Sequence, residues 1–475
     1  MIKNSLYRYL LPAFIVLATV ILAWWLIYNP VKTFKPSVPG MDERKTGAVA
    51  VQKVNIGETF AFFKTCDDIP GTRWPRFRGA DFDNVSKENI RLIDKFPKEG
   101  PKILWKIPLG EGHAAPAVYD GRVYLLDYNE TKKQDLLRCF SLATGEELWQ
   151  RGYTVRLKRN HGLSRTIPAV TDKYVVTIGP RCQVMCVDRL KGDLLWGLDL
   201  AAEYNTEVPF WYTGQCPMVD NDTAIIATGG KSLMIAIDCK TGKKAWETPN
   251  PLNWKMSHSS VMPMIFKGKK MYVYCAVGGM CGVSAQGSDK GKLLWSTPVF
   301  SPSVIAPSPV ILDNGLIYMT AGYGAGAVVI QIKESGGKFT AELKEKYKPN
   351  EGLASEQQTP VFYNGYLFGI LPKDAGGLRE QFACFKASDT RKSLMSSGKT
   401  TRFGLGPYIL ADNKFFILND DGEMTIAKYS TSTFQVLDKA KLLDGQDSWG
   451  PIAITGGYLL MRDSKTIVCI DVRAK

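Results

Sequence analysis

Eight times along this chain a proline followed by an apolar pair opens a β-rich run, and successive prolines stand 44–52 residues apart. The eight are Pro116, Pro168, Pro217, Pro263, Pro309, Pro360, Pro407 and Pro451. A fixed period of this length marks a repeat architecture, in which no unit buries its own faces and each needs its neighbours. A second run follows after a turn, as in Gly121-Arg-Val-Tyr-Leu-Leu, and then a third, as in Gln183-Val-Met-Cys-Val-Asp. A fourth run starts at a glycine and ends in tryptophan: Gly145 to Trp149, Gly192 to Trp196, Gly242 to Trp246 and Gly291 to Trp295. Four short strands per unit describe the blade of a β-propeller. The expected fold is all-β, an eight-bladed propeller.

The ends of the chain support the count. After Pro451 only three strands fit before Lys475, while Lys102-Ile-Leu-Trp105-Lys-Ile-Pro108 upstream reads as an orphan fourth strand. Joining the two completes an eighth blade and closes the ring. Trp105, Trp149, Trp196, Trp246 and Trp295 are expected to pack between blades, each filling the wedge with one large ring. Blades five, six and seven lack this tryptophan.

Ahead of the repeats, residues 10–28 carry no charge, follow Lys3 and Arg8, and end in Trp24, Trp25 and Tyr28. Their length approaches the roughly 20 residues a bilayer requires, and aromatic residues sit at its interface. A cleaved signal peptide is the rival reading, but its apolar core is normally shorter and ends in small residues, so the uncleaved anchor is the better reading. The expected organisation is a short segment 1–9, a transmembrane anchor 10–28, a tether and lead-in 29–101, and the propeller 102–475. The anchor predicts a single-pass protein of the inner membrane with its propeller in the periplasm.

Net charge is +14, but the basic residues are scattered and no nucleic-acid motif occurs. A basic bias suits an anionic membrane or envelope polymer instead. Only three histidines occur, and the ten cysteines form no C-x-x-C pair. Cys139, Cys186, Cys384 and Cys469 recur at one repeat position, as core packing does. Asp81-Phe-Asp83-Asn84 has oxygen donors for calcium but reads more simply as a solvated turn.

The segments Leu142-Ala-Thr-Gly-Glu-Glu-Leu-Trp149 and Asp238-Cys-Lys-Thr-Gly-Lys-Lys-Ala-Trp246 resemble the blade motif of the pyrroloquinoline-quinone (PQQ) repeat superfamily. That family includes quinoprotein alcohol dehydrogenases and the BamB component of outer-membrane β-barrel assembly. Trp74-Pro-Arg-Phe-Arg-Gly-Ala-Asp-Phe-Asp-Asn-Val-Ser86 resembles the opening motif of its membrane-anchored bacterial members. The resemblance covers residues 74–475 and implies the propeller, with either a dehydrogenase or a scaffold role. It departs from the dehydrogenases in having no adjacent cysteines and no matching calcium set, and from BamB in having a helix in place of a lipidated cysteine.

Function on such a scaffold is carried by loops. The connections from the fourth strand of one blade to the first of the next converge over the channel on one face. Nine residues in or beside these connections are the candidate ligand-binding set: His113, His161, Arg165, Trp211, Tyr212, Gln215, His258, Arg402 and Trp449. They are expected to line a basic, aromatic funnel at one mouth. No catalytic residue and no metal set is assigned. The sequence reading is a membrane-anchored envelope propeller that binds a protein or anionic polymer, with no cofactor and no nucleic acid. PQQ-dependent oxidation with calcium is the alternative, and polysaccharide binding or processing the second.

Overall fold

The computed structural model describes residues 3–28 and 54–474. Two compact units divide at Lys45 and Thr46. The first contains one helix, Lys3–Ile27, and its stretch Arg8–Ile27 is long and apolar enough to cross a membrane. The helix starts ahead of residue 10, so most of the short segment expected at 1–9 belongs to it. Pro12 therefore lies inside the helix rather than at its first turn.

The second unit is an eight-bladed propeller with its blades at 117–154, 169–199, 218–249, 262–297, 310–347, 361–396, 408–441 and 453–471. The last holds only three strands of its own. Ile103–Pro108 supplies the fourth, antiparallel to Thr466–Asp471, with Trp105 opposite Cys469. The ring closes with strands from both ends of the unit, as the orphan pattern requires.

First strands of neighbouring blades touch in series, so they form the inner ring. In seven blades the repeat proline sits just ahead of the first strand; in the fourth, Pro263 lies within Met262–Phe266. A proline costs little there, because it stands at the start of a strand that is a sheet edge in six of the eight blades. Second strands such as Tyr174–Ile178 and Lys414–Leu418 are buried throughout, while outer strands such as Leu194–Asp199 are largely open. Burial on both faces explains why the second and third runs read as continuous apolar stretches instead of alternating ones.

Tryptophan docking joins one half of the ring. A Cβ added at Gly192 would stand 2.7 Å from the Trp149 ring, so the ring of one blade lies directly on the turn glycine of the next. Trp105 on Gly145, Trp196 on Gly242 and Trp246 on Gly291 repeat the contact. Gly192 has φ +71°, the left-handed region glycine enters at no steric cost. The Nε1 groups of Trp105 and Trp196 donate to the Leu142 and Cys239 carbonyls of the following blade, both at 2.8 Å. Trp105 and Trp149 are buried, whereas Trp196 and Trp246 are half-buried. Trp295 departs from the expectation. It is buried, but its Nε1 points at Met271 Sδ of its own blade, 3.3 Å away, and no turn glycine of blade five receives it.

Residues 54–101, expected as tether and lead-in, are built onto the propeller; residues 29–53 of that stretch lie outside the described residues. Thr59–Phe62 adds a fifth strand along Glu147–Thr154 at the outer edge of blade one. Arg73–Trp74 pairs with the inner strand of that blade, and Val85–Ser86 runs parallel to the inner strand of blade seven. Between them the chain crosses the channel. The Pro75 carbonyl accepts from Val170 N of blade two at 2.8 Å, and Arg76 donates to Val219 O of blade three at 3.1 Å. Arg78 is buried and donates to Thr359 O (2.7 Å) and Pro360 O (2.9 Å) at blade six. Its other bonds go to Phe82 O and Asp83 O in its own loop. Asp81 and Asp83 both pair with Lys87, and Asp83 caps Val85 N, so this motif is a braced turn.

Candidate functional site

A cavity of about 310 Å³ opens at one mouth of the channel. Most of its wall comes from the blade-to-blade connections, and Phe77 of the crossing segment also lines it. The crossing segment bonds to the far ends of the first strands of blades two and three, so the pocket has its mouth on the other side.

Six of the nine expected residues line it: His113, His161, Arg165, Trp211, His258 and Trp449. Three do not. Tyr212 is half-buried, its hydroxyl tied to Lys158 N (2.8 Å) and Lys158 O (2.7 Å). Gln215 is fully buried, its amide clamped to Ala227 N and Ala227 O. Arg402 turns to Lys399 O (3.0 Å) and Glu380 (3.5 Å). These are loop-fixing residues in the right connections, which spacing alone does not distinguish from lining residues.

The His113 ring stacks on Trp449 with centroids 5.1 Å apart, and Trp211 stacks on Tyr323 at 5.8 Å. His113 Nε2 donates to the His161 carbonyl at 3.1 Å, leaving its buried Nδ1 without a partner among the described residues. Burial, aided by the Arg165 and Arg462 guanidiniums, pushes the His113 pKa down to about 3. Burial and Arg165 hold His258 at about 3 as well. Both imidazoles are neutral at physiological pH, because a buried charge beside a cation is doubly disfavoured.

Arg165 stays charged, with burial lowering its pKa only to about 10. Its hydrogen bonds to described residues run through Nη2, to the carbonyls of Asn160 (2.9 Å), His161 (2.5 Å) and Gly162 (3.3 Å). Nε is buried and unpartnered among the described residues. Glu356, on the same wall, has no hydrogen bond or ion pair to any described residue, and burial with the Asp374 carboxylate raises its pKa. Trp449 Nε1 donates to Asp420 at 2.8 Å, another carboxylate whose pKa burial raises. The expected basic funnel is therefore a mixed pocket holding one cation and one carboxylate. Cys216 also lines it, but as a thiol accepting from Ile167 N, with burial pushing its pKa up to about 11.

Tyr323 and Glu356 were missed for different reasons. Tyr323 and the acidic Asp374 and Asp420 sit in turns between second and third strands, which open on the same face as the connections. Counting that second class of turn would have found them. Glu356 lies beside Gln357 and Gln358 in a connection, and only its lack of a partner sets it apart.

Residues 132–356 match the family profile described as outer membrane protein assembly factor BamB. Over that stretch the propeller is similar to the PQQ-like type. No curated protein matches the chain in sequence. Among solved structures, BamB from Moraxella catarrhalis is similar at 12% identity, covering 78% of this chain and 99% of that one, with a TM-score of 0.52. The quinohemoprotein alcohol dehydrogenase ADHIIG from Pseudomonas putida HK5 is similar at 12% identity, covering 86% of this chain and 81% of that one, with a TM-score of 0.55. At such identity the likeness is one of fold, and a PQQ-like fold hosts more than one function.

The residues of this pocket do not fit PQQ with calcium. That quinone carries three carboxylates and would meet one guanidinium and one carboxylate. No group of three or more His, Cys, Asp or Glu side chains stands ready to hold an ion among the described residues, and a hard cation needs six to eight oxygens.

Proposed function

We propose that this chain is a membrane-anchored envelope protein whose PQQ-like propeller binds a partner through the pocket at its mouth and performs no chemistry there. One observation carries the reading: beside stacked aromatic rings the pocket residues include two buried polar atoms without partners, Arg165 Nε and His113 Nδ1, and a half-buried Glu356 with no counter-ion among the described residues. Buried polar groups are normally satisfied, so a pocket that leaves several open is shaped for a ligand that completes them. The two imidazoles favour binding over catalysis. His113 bonds to the His161 carbonyl and His258 to backbone at Tyr212, so neither is bonded to a hydroxyl or thiol it could activate. The helix Lys3–Ile27 supports an inner-membrane anchor with the propeller in the periplasm. A bound protein or envelope polymer would present one terminus or one unit to so small a cavity.

Full-length protein purified from detergent-solubilised membranes tests this. Trp211→Ala should release the captured partner while the melting temperature holds. Dye reduction on adding PQQ and calcium, or a copurifying quinone absorbance, would overturn the reading in favour of an oxidoreductase.

A further inference from the structure

The ring topology sets the two charges of the pocket against each other. Arg165 lies in the connection between blades one and two, and Glu356 in that between blades five and six. In a ring of eight these connections are four blades apart, on opposite sides of the channel. Tyr323 lies within electrostatic reach of both. The division extends beyond the pair. Arg181 joins Arg165 in acting on Tyr212, while Asp374 and Asp420 act together on Glu356, offset there by Lys373.

We propose that the pocket takes a short zwitterion of dipeptide size, its carboxylate on Arg165 and its ammonium on Glu356. This rests on the binding-module reading and names the ligand class of that same site. Five observations support it. The guanidinium meets only carbonyls, all through Nη2, and has no carboxylate partner among the described residues. The carboxylate has no cation within bonding distance among the described residues. His113, which lines the cavity on a side chain more than nine-tenths buried, keeps an Nδ1 acceptor with no partner among the described residues. Trp211, Tyr323 and Trp449 offer faces to an ammonium or a side-chain ring. The cavity of about 310 Å³ suits a ligand of that size, and Phe77 of the crossing segment forms part of its wall.

An anion alone would leave Glu356 facing it across the pocket, and a cation alone would leave Arg165. Only a ligand carrying both gives each of these half-buried charges a counter-ion. An arriving ammonium also favours the ionised form of Glu356 that burial opposes.

Calorimetric titration of the full chain in detergent micelles decides it with three probes: Ala-Phe, N-acetyl-Ala-Phe and Ala-Phe-amide. Ala-Phe should bind at least tenfold tighter than either capped form. Arg165→Gln should erase the preference over the amide and keep the preference over the acetylated form; Glu356→Gln should do the reverse. Arg165→Lys, which keeps the charge, should retain both preferences and guards against a variant that fails to fold. Equal binding of a capped probe, unchanged preferences in the variants, or no binding of Ala-Phe would overturn the proposal. If Ala-Phe fails to bind while Trp211→Ala still releases the membrane partner, the dipeptide class is wrong and the binding module stands.

Discussion

Two halves of the same ring solve the same packing problem differently. From blade eight through blade four, a tryptophan of each blade lies on the turn glycine of the next. From blade four back to blade eight that contact is absent, and the interfaces are made of other groups. Blades six and seven share a cluster in which Phe368, Phe382 and Phe415 stand 4.8–6.2 Å apart, with Tyr408 and Tyr429 around them. Blades five and six are tied through Tyr318, donating to Leu353 O at 2.7 Å, and Tyr347, packed near Thr390. The difference teaches that the blade needs apolar volume and one directional contact at each interface. The repeat motif is one way to supply them, and it is the way a sequence reader can see.

The largest test of the comparison is the closure. Deleting residues 1–109 removes the fourth strand of blade eight, its Trp105 dock and the channel crossing at once. It should abolish cooperative unfolding, whereas deleting 1–53 should leave the melting temperature of the propeller unchanged. A deleted form that still melts cooperatively near the parent temperature would show that the ring does not depend on its closing strand.

Next is the docked tryptophan. Trp149 is fully buried against Gly192 and Tyr124, and Trp149→Ala should cost about 3–5 kcal/mol in denaturant unfolding. Trp196, half-exposed, should lose clearly less, because less area leaves water when it docks. Equal losses would mean that the dock, not burial, sets the energy.

A finer cut uses glycines. Gly192 and Gly365 both have positive φ, +71° and +81°, but only Gly192 faces a ring; nothing lies within 4 Å of a Cβ at Gly365. Gly365→Ala should cost only the backbone penalty of about 1–2 kcal/mol. Gly192→Ala should cost more by the displacement of Trp149. The same loss at both positions would remove the dock from the account.

The acid response is a further test, and its sign differs across the pocket. His113 and His258 have folded pKa values near 3, below the ordinary value of 6.5. The unfolded chain takes up their protons first, so they withdraw stability as pH falls below 6.5. Glu356 is raised, so its contribution is greatest in acid and is lost as pH rises through its folded value. Between pH 7 and pH 5, the double variant His113→Gln, His258→Gln should lose less melting temperature than wild type. Glu356→Gln should lose more.

Much of the fold was legible because a propeller repeats its instructions. The eight prolines, the glycine-to-tryptophan spacing and the orphan strand at Lys102–Pro108 each fixed a register that the structure reproduces. The channel crossing was not legible. Residues 73–86 carry no period, and Arg78, Phe82 and Asn84 adopt positive φ that no propensity announces. Their role comes from bonds to blades hundreds of residues away, such as Arg78 to Thr359. At the site, topology placed His113, Arg165 and Trp211 together, but which loop residues face inward depends on local bonds such as those that clamp Gln215.

If this protein works through the cavity lined by Trp211 and Glu356, the double variant Glu356→Gln, Trp211→Ala measures it most directly. Neither side chain holds the scaffold: Glu356 makes no hydrogen bond to a described residue, and Trp211 is half-buried. Capture of the membrane partner by the full-length chain should fall at least tenfold, with a melting temperature within about 3 °C of wild type. Undiminished capture at an unchanged melting temperature would contradict the claim and move the working surface elsewhere on the propeller.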